Sequence, residues 1–306
     1  MRPTEVDEMI LAAINRLGGY LTAGQLTRLL YPKAQDRDRY SQRRLSRLEQ
    51  GGHLLRLRAP RRPQFGSVPH VFTLTHPARR YLAGRGYPVE PYYRPAEEHA
   101  KAANYLFMEH TLAVIDVLIA AERLVSDATR AGIDQIQMPA LWTERRLKRE
   151  AVTVTVSAAT KTGTAHRTVV IPDAWFQLQI RTTPPVSIAL ELDRGHVEQK
   201  RWRAKVAALC AWAGGPYQAK FETDNLTVAV VTPTPSRRDE LLEWTRRKLQ
   251  QRHLTDYAAI FLFTDADPIT LPPTTFFFDR HWRELPAPDP VSILDPPTGQ
   301  IAVFHA

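Results

Sequence analysis

The chain has little cysteine and no long apolar run, and each shortage excludes a class of protein. Cys210 is the only cysteine among 306 residues, so the chain forms no internal disulfide and offers no site made of several thiolates. No stretch approaches the roughly 18 consecutive apolar residues of a membrane-spanning helix. The first residues, MRPTEVDEM, lack the apolar segment of a secretory signal. We therefore expect a cytoplasmic protein without membrane contacts.

Two kinds of nucleic-acid enzyme also lack their motifs here. The sequence contains no GxxxxGK[ST] loop for nucleotide phosphates and no His-x-His pair of the kind that holds the metal of a tyrosine relaxase. We therefore expect neither an ATPase nor such a relaxase. The chain shows no fixed-period repeat, and its length predicts about two domains.

Positive charge is concentrated in the first third of the chain. Residues 1–95 contain 17 Lys and Arg against 7 Asp and Glu, whereas residues 96–306 contain 24 against 25. A domain with such an excess attracts polyanions and steers their approach. We therefore expect the first third to bind double-stranded DNA.

Hydrophobic spacing in that third predicts a winged helix-turn-helix. Helices are indicated at residues 5–17, after a Thr22 N-cap, and at residues 41–50. Two alternating segments, 53–58 and 70–75, flank a stretch with Pro and Gly and predict a two-stranded wing. The third helix has the size and polarity of a DNA recognition helix.

The side chains expected to contact DNA lie on this third helix and along the wing. Arginines suit both phosphates and the base edges of the major groove. The predicted DNA-binding residues are Gln42, Arg43, Arg44, Arg47, Arg58, Arg61 and Arg62. Two alternatives stay open, since an Arg-rich helix is often only a solvated face and many winged helices bind proteins.

The remaining two thirds predict an α/β domain. A long helix is indicated from about Glu97 to Ala128. Predicted strands follow at 136–144, 150–158, 167–179, 186–192, 226–232 and 258–265, with helices at 196–213 and 237–250. Runs of Val, Ile and Leu without polar alternation favour strands covered on both faces.

The pattern divides the chain into three predicted segments. Residues 1–90 form the winged-helix domain and residues 91–265 form the α/β domain. Residues 266–306 are rich in proline, which predicts an extended segment that packs on the α/β core.

Carboxylates follow the ends of predicted strands in the α/β domain. Asp173 follows one apolar segment, and Glu191 and Asp193 end the next on one face, because side chains along a strand alternate. If the two strands are neighbours, these three carboxylates converge, with Glu144 as a fourth candidate. Clustered carboxylates are costly unless they hold a hard cation. The pattern predicts Mg²⁺ or Mn²⁺, and surface salt bridges are the alternative.

Short motifs occur in a defined order between residues 5 and 250. They are QL..LLYP, RRL.RL, EHTLAV, WTE, PDA, ELDRG and W..KV. Their order resembles the replication-relaxation family of plasmid and mobile-element proteins, and the acids resemble those of PD-(D/E)XK nucleases. The resemblance implies a winged helix followed by a restriction-endonuclease-like α/β core that acts on DNA in replication or relaxation. Other replication or mobilisation proteins and a second copy of the chain are further candidate partners.

The resemblance also implies roles for individual residues. Asp173 matches the PD acid and Glu191 matches the acid of (D/E)XK, the two metal ligands of active nucleases. The lysine position that follows holds Asp193. That lysine would orient the attacking water and stabilise charge on phosphorus, so Lys205 or Arg194 would have to replace it. The predicted catalytic set is Glu144, Asp173, Glu191, Asp193 and Lys205.

Several alternatives stay open at this point. Lys205 lies near tryptophans and could be a lysine that only packs its stem against them. Glu109 and Asp116 on the long helix are further candidates for metal ligands. An active protein would be a metal-dependent DNA endonuclease. The alternative is a transcriptional regulator or replication accessory factor built on a degenerate nuclease-like scaffold, which the missing lysine favours.

Overall fold

The computed structural model describes residues 2–32, 37–57, 70–90, 104–130, 135–157, 164–285 and 289–295, together with 97 and 100. Helices and strands are mixed along the chain, which confirms an α/β protein overall. The chain divides into two compact units, Met1–Arg123 and Leu124–Ala306. In the described part of the chain, none of the helices is both long and apolar enough to cross a membrane.

The described part of the first unit consists of helices around a small sheet. The helices are α1 (Glu5–Arg16), α2 (Ala23–Leu30), α3 (Arg37–Gln50), α4 (His76–Gly84) and the first two thirds of α5 (Tyr105–Arg130). The strands β1 (Leu21–Thr22), β2 (Leu54–Leu57) and β3 (Val71–Leu74) pair antiparallel in the order β1-β3-β2. The predicted helices and paired strands are confirmed. The predicted wing tip, with Arg58, Arg61 and Arg62, lies outside the described residues, so the winged helix itself stays a prediction.

Capping boxes define where the first two helices begin. The Thr22 hydroxyl accepts a hydrogen bond from the Gln25 N–H at 3.2 Å, and Gln25 Oε1 accepts one from the Thr22 N–H at 3.1 Å. Thr4 and Asp7 form the same reciprocal pair at α1. Each box satisfies backbone N–H groups that the helix itself leaves without acceptors. The N-cap predicted at Thr22 is therefore confirmed.

Two helices begin at other residues than the sequence predicts. α3 starts at Arg37 instead of Ser41, because the Ser41 hydroxyl is buried and pairs with Thr27 Oγ1 at 2.8 Å instead of capping a helix. The predicted long helix is interrupted: Glu97 and Ala100 are helical, Asn104 is not, and α5 starts at Tyr105. There, Asn104 Oδ1 accepts a hydrogen bond from the Phe107 N–H at 3.2 Å, which is N-cap geometry.

The second unit is built on an eight-stranded sheet with a separate two-stranded sheet. The sheet runs β13-β12-β11-β10-β9-β8-β4, with β5 also paired to β8, and β6 pairs with β7. The strands are β4 (Ile136–Gln137), β5 (Leu141–Thr143), β6 (Val152–Val156), β7 (His166–Val170), β8 (Ala174–Ile180), β9 (Val186–Leu192), β10 (Thr227–Val231), β11 (Phe261–Thr264), β12 (Trp282–Glu284) and β13 (Pro290–Val291). The helices described there are α6 (Glu144–Arg149), α7 (Gln199–Ala213), α8 (Pro216–Phe221), α9 (Pro235–Arg252) and α10 (Pro273–Phe278), with a 3₁₀ helix at Thr255–Ile260.

Prolines divide two segments that the sequence predicts as single strands. The segment 136–144 forms β4 and β5 around Pro139, and Glu144 is the first residue of α6 instead of the last residue of a strand. The segment 167–179 is divided at Pro172 into β7 and β8, which belong to different sheets. Proline has no N–H for the strand ladder and is confined to strand ends and bulges.

The C-terminal part adds regular structure instead of an extended segment. Phe276 and Phe277 on α10 and Trp282 on β12 are almost completely buried. Strands β12 and β13 extend the sheet antiparallel from β11. Aromatic burial and strand pairing therefore stabilise the described residues after Asp265 as part of the α/β unit.

Candidate active site and candidate DNA interface

The register of two antiparallel strands places Asp173 next to Glu191. Ala174 at the start of β8 pairs with Leu190 near the end of β9. The Asp173 N–H donates to the Leu190 carbonyl at 3.0 Å, and Asp173 Oδ2 accepts from the Leu192 N–H at 2.7 Å. These two bonds flank Glu191 and hold Asp173 against the end of β9.

Helix α7 supplies a cation to this strand end. Lys205 Nζ donates to Glu191 Oε2. The Glu191 side chain is 3% exposed and that of Lys205 is 36% exposed, so the ion pair opens to solvent on the lysine side. Burial opposes the charge on Lys205, but the carboxylates of Glu191, Asp173 and Glu144 outweigh it and raise the lysine pKa above its usual range.

Four of the five residues predicted to be catalytic therefore come together. Glu144 begins α6 and also pairs with Lys148 at 2.5 Å, so it lies at the edge of the group. We call Glu144, Asp173, Glu191 and Lys205 the carboxylate–lysine cluster. Across the described residues, no group of three or more His, Cys, Asp or Glu side chains is arranged to hold a metal ion.

The fifth residue, Asp193, does not join the cluster. Its carboxylate accepts hydrogen bonds from the Gly195 N–H at 3.1 Å and the Val197 N–H at 3.3 Å, and it pairs with Arg237. Strand β9 ends at Leu192, so the alternation that predicted a shared face with Glu191 does not reach Asp193. Asp193 instead holds the turn after β9, where Gly195 has a φ of +84°.

Arg237 is a partly buried anchor that the sequence did not reveal. Its guanidinium donates to Asp193, to the Val197 carbonyl and to Glu240, and it lies over the Trp244 ring at 5.0 Å from the centroid. Asp193 and Arg237 are 44 positions apart, so no local pattern could have linked them. The anchor stabilises the turn that joins β9, which ends beside Glu191, to α7, which carries Lys205.

Asp116, a candidate metal ligand on the long helix, has a structural role in the first unit. Its Oδ1 accepts a hydrogen bond from Gln25 Nε2 at 3.0 Å and pairs with Arg28. Gln25 Nε2 also donates to the Leu112 carbonyl at 2.8 Å. These contacts tie α2 to α5, and they explain why the first unit extends to Arg123 instead of ending at the predicted residue 90.

Helix α3 presents only part of its predicted DNA-binding set to solvent. Gln42, Arg43 and Arg47 are exposed. Arg44 instead pairs with Asp7 of α1 at 3.1 Å and donates from Nε to the Tyr40 hydroxyl at 3.0 Å. Burial opposes ionisation of Asp7, but hydrogen bonds from Thr4 and the charge of Arg44 outweigh it and lower the Asp7 pKa. Arg44 therefore anchors α3 on α1.

Comparison with known protein families gives a match to the replication-relaxation family over residues 11–223. The matched segment runs from the middle of α1 past the end of α8 and includes the carboxylate–lysine cluster. No curated protein and no solved structure matches the chain. Because the family matches more than half of the sequence, the chain belongs to the replication-relaxation family.

Proposed function

We propose that this protein binds double-stranded DNA in the replication or relaxation of a plasmid or other mobile element and cleaves one of its phosphodiester bonds with Mg²⁺ or Mn²⁺. The observation that carries the enzymatic part is the Lys205–Glu191 ion pair beside Asp173. Lys205, on helix α7, would take the role of the lysine that is missing from the end of strand β9. Membership of the replication-relaxation family supports a role in the replication or relaxation of such an element.

The donor set fits a magnesium ion in number and chemistry. Mg²⁺ is a hard cation that keeps several waters and is usually bound in enzymes by one or two carboxylates together with substrate phosphates. Asp173 and Glu191 offer such oxygens at adjacent strand ends. They would be the protein ligands, and Glu144, whose charge also acts on Lys205, would act on the water around them.

The residues of the cluster then have separate roles. A bound Mg²⁺ would supply Lewis acidity and an acidified water. The backbone bond from Leu192 orients the Asp173 carboxylate. Lys205 stays protonated because its neighbours raise its pKa, so it would hold a positive charge at Nζ beside the scissile phosphate and stabilise the charge that develops there.

The nuclease activity is tested on supercoiled plasmid with Mg²⁺ or Mn²⁺. We expect wild type to nick the DNA, and Asp173→Ala, Glu191→Gln and Lys205→Met each to lower the rate by about 100-fold or more. Lys220→Met is the matched control, because Lys220 also pairs with a carboxylate, Glu150, at 2.8 Å outside the cluster. Equal losses in Lys220→Met and Lys205→Met would contradict the assignment.

DNA binding is proposed for the exposed face of α3. Arg43→Glu removes a phosphate or base contact and adds repulsion, so we expect weaker binding and a salt dependence shallower by about one unit in log–log slope. Arg80→Glu on α4 is the control, since Arg80 is also exposed on another helix of the same unit. An identical effect of both changes would point to general attraction and not to α3.

A non-catalytic role is the second candidate, and one observation favours it. Lys205 already neutralises Glu191 inside the protein, so the acidic pair is tolerated without a metal. A regulator or replication accessory factor would retain plasmid DNA through α3 without nicking it. Retention without nicking in the plasmid experiment would select this function.

A further inference from the structure

A second set of positive charges lies where α7 and α9 pack together. It consists of Arg203 on α7 and of Lys248 and Arg252 on α9, all partly buried; we call it the α7–α9 basic cluster. Lys248 and Arg252 are four residues apart and so share one face of their helix. Arg203 reaches that helix directly, because its guanidinium donates to Gln251 Oε1.

The acceptors that hold these side chains are neutral. Arg203 is held by the amide oxygen of Gln251, and Arg252 by the backbone carbonyl of Ser157. Within the described ranges, no carboxylate lies within ion-pair distance of either guanidinium or of Lys248. The arginines are therefore oriented without being neutralised.

The other arginines of α9 show the opposite pattern. Arg237 pairs with Asp193, and Arg238 pairs with Asp265 at 2.6 Å. Arg246 and Arg247 both pair with Glu243 at 2.6 Å. Each of these arginines of α9 thus has a carboxylate partner, which Arg246 and Arg247 share, whereas the side chains at the end of the helix that faces Arg203 have none in the described part of the chain.

The free protein bears an energetic cost for this arrangement. Burial, and then the positive charges of Arg252 and Arg203, lower the pKa of Lys248. Like charges held together destabilise the native state unless an anion approaches them, and groups perturbed in this way are concentrated at functional sites. An anion bound here would relieve the repulsion and gain charge-assisted hydrogen bonds.

We propose that the α7–α9 basic cluster binds the phosphodiester backbone of DNA. The inference rests on the proposed function and adds a DNA contact on the second unit to the contact proposed for α3. Arg203 and Lys205 lie two positions apart on α7 and so on different faces of it: Arg203 is directed to α9 and Lys205 to β9. The contact would position DNA and would read no base sequence.

The experiment measures duplex affinity as a function of salt concentration for the full chain. Arg203→Ala combined with Lys248→Ala should lower the affinity and make the log–log salt slope shallower by about 1.8 units, since each lost phosphate contact contributes about 0.9. Arg246→Ala combined with Arg247→Ala is the matched control. It removes the same charge from the same unit, but from side chains that already pair with Glu243.

The outcomes separate this inference from the proposed function. Loss of binding in Arg43→Glu together with equal slopes for the two double variants would leave the α3 interface standing and overturn the basic cluster. A wild-type protein that does not bind the duplex would overturn both. If the double variant does not fold, acetylation of wild-type Lys248 decides, because bound DNA should protect that amine from the reagent, and undiminished acetylation would overturn the inference.

Discussion

At the scale of single residues, Asp193 is a buried carboxylate that holds the turn after β9. Its side chain is 3% exposed and that of its partner Arg237 is 12% exposed. Asp193→Ala removes the carboxylate that two backbone N–H groups and Arg237 share. Arg237 keeps its pair with the exposed Glu240, so we expect a loss of about 2–3 kcal/mol in the free energy of unfolding. Urea unfolding of wild type and variant measures this loss.

The matched control is Asp239→Ala. Asp239 is 63% exposed in its pair with Arg238, and exposed pairs contribute little, so we expect a change within about 0.5 kcal/mol. A change as small as this in Asp193→Ala would show that Asp193 acts only as an ordinary surface charge.

Cys210 is the second residue whose chemistry follows from its position. It is buried in α7, and burial raises its pKa to about 12. The thiolate is the reactive form, so at pH 8 the native protein should barely react with a thiol reagent. One equivalent should react after unfolding, as read by absorbance. Rapid labelling of the native protein would contradict this packing of α7.

At the scale of elements, the sequence predicts the N-cap of α2 at Thr22, and the structure completes it to a capping box with Gln25. Thr22→Ala removes the side-chain acceptor for the Gln25 N–H, so we expect a loss of about 1 kcal/mol in unfolding free energy. Glu198→Ala is the control, because Glu198 stands at the N-cap of α7 without a side-chain cap bond. Equal thermal or urea midpoints for the two variants would argue against the box.

Strand pairing at this scale decides what local patterns leave open. Hydrophobic residues predict one strand through Pro172, and they do not show that β7 pairs with β6 while β8 pairs with β9. Only the second pairing brings Asp173 next to Glu191. A local periodicity carries no information about the partner strand, because register is set by side chains that meet across the sheet.

At the scale of the whole molecule, uneven charge predicts how DNA affects stability. A ligand that binds only the native state stabilises it by about 2.7 kcal/mol at 100 times its Kd. We expect duplex DNA to raise the unfolding midpoint at low salt and to lose that effect at high salt, since ion pairs with phosphates weaken steeply as salt rises. Arg43→Glu should reduce the shift. A shift that persists at high salt would contradict binding through phosphates.

The sequence by itself determined the long helices, the N-cap at Thr22, most strands and the two acids Asp173 and Glu191. Hydrophobic spacing, capping residues and acids at strand ends are all recorded locally along the chain. The tertiary structure alone decided that Lys205, 14 positions from Glu191, supplies the cation, and that Asp193 turns to Arg237. It also decided that Arg44 anchors α3 on α1 and that Arg203, Lys248 and Arg252 form one basic cluster. These outcomes depend on which helix packs beside which strand, and that is settled by the burial of side chains far apart in the chain.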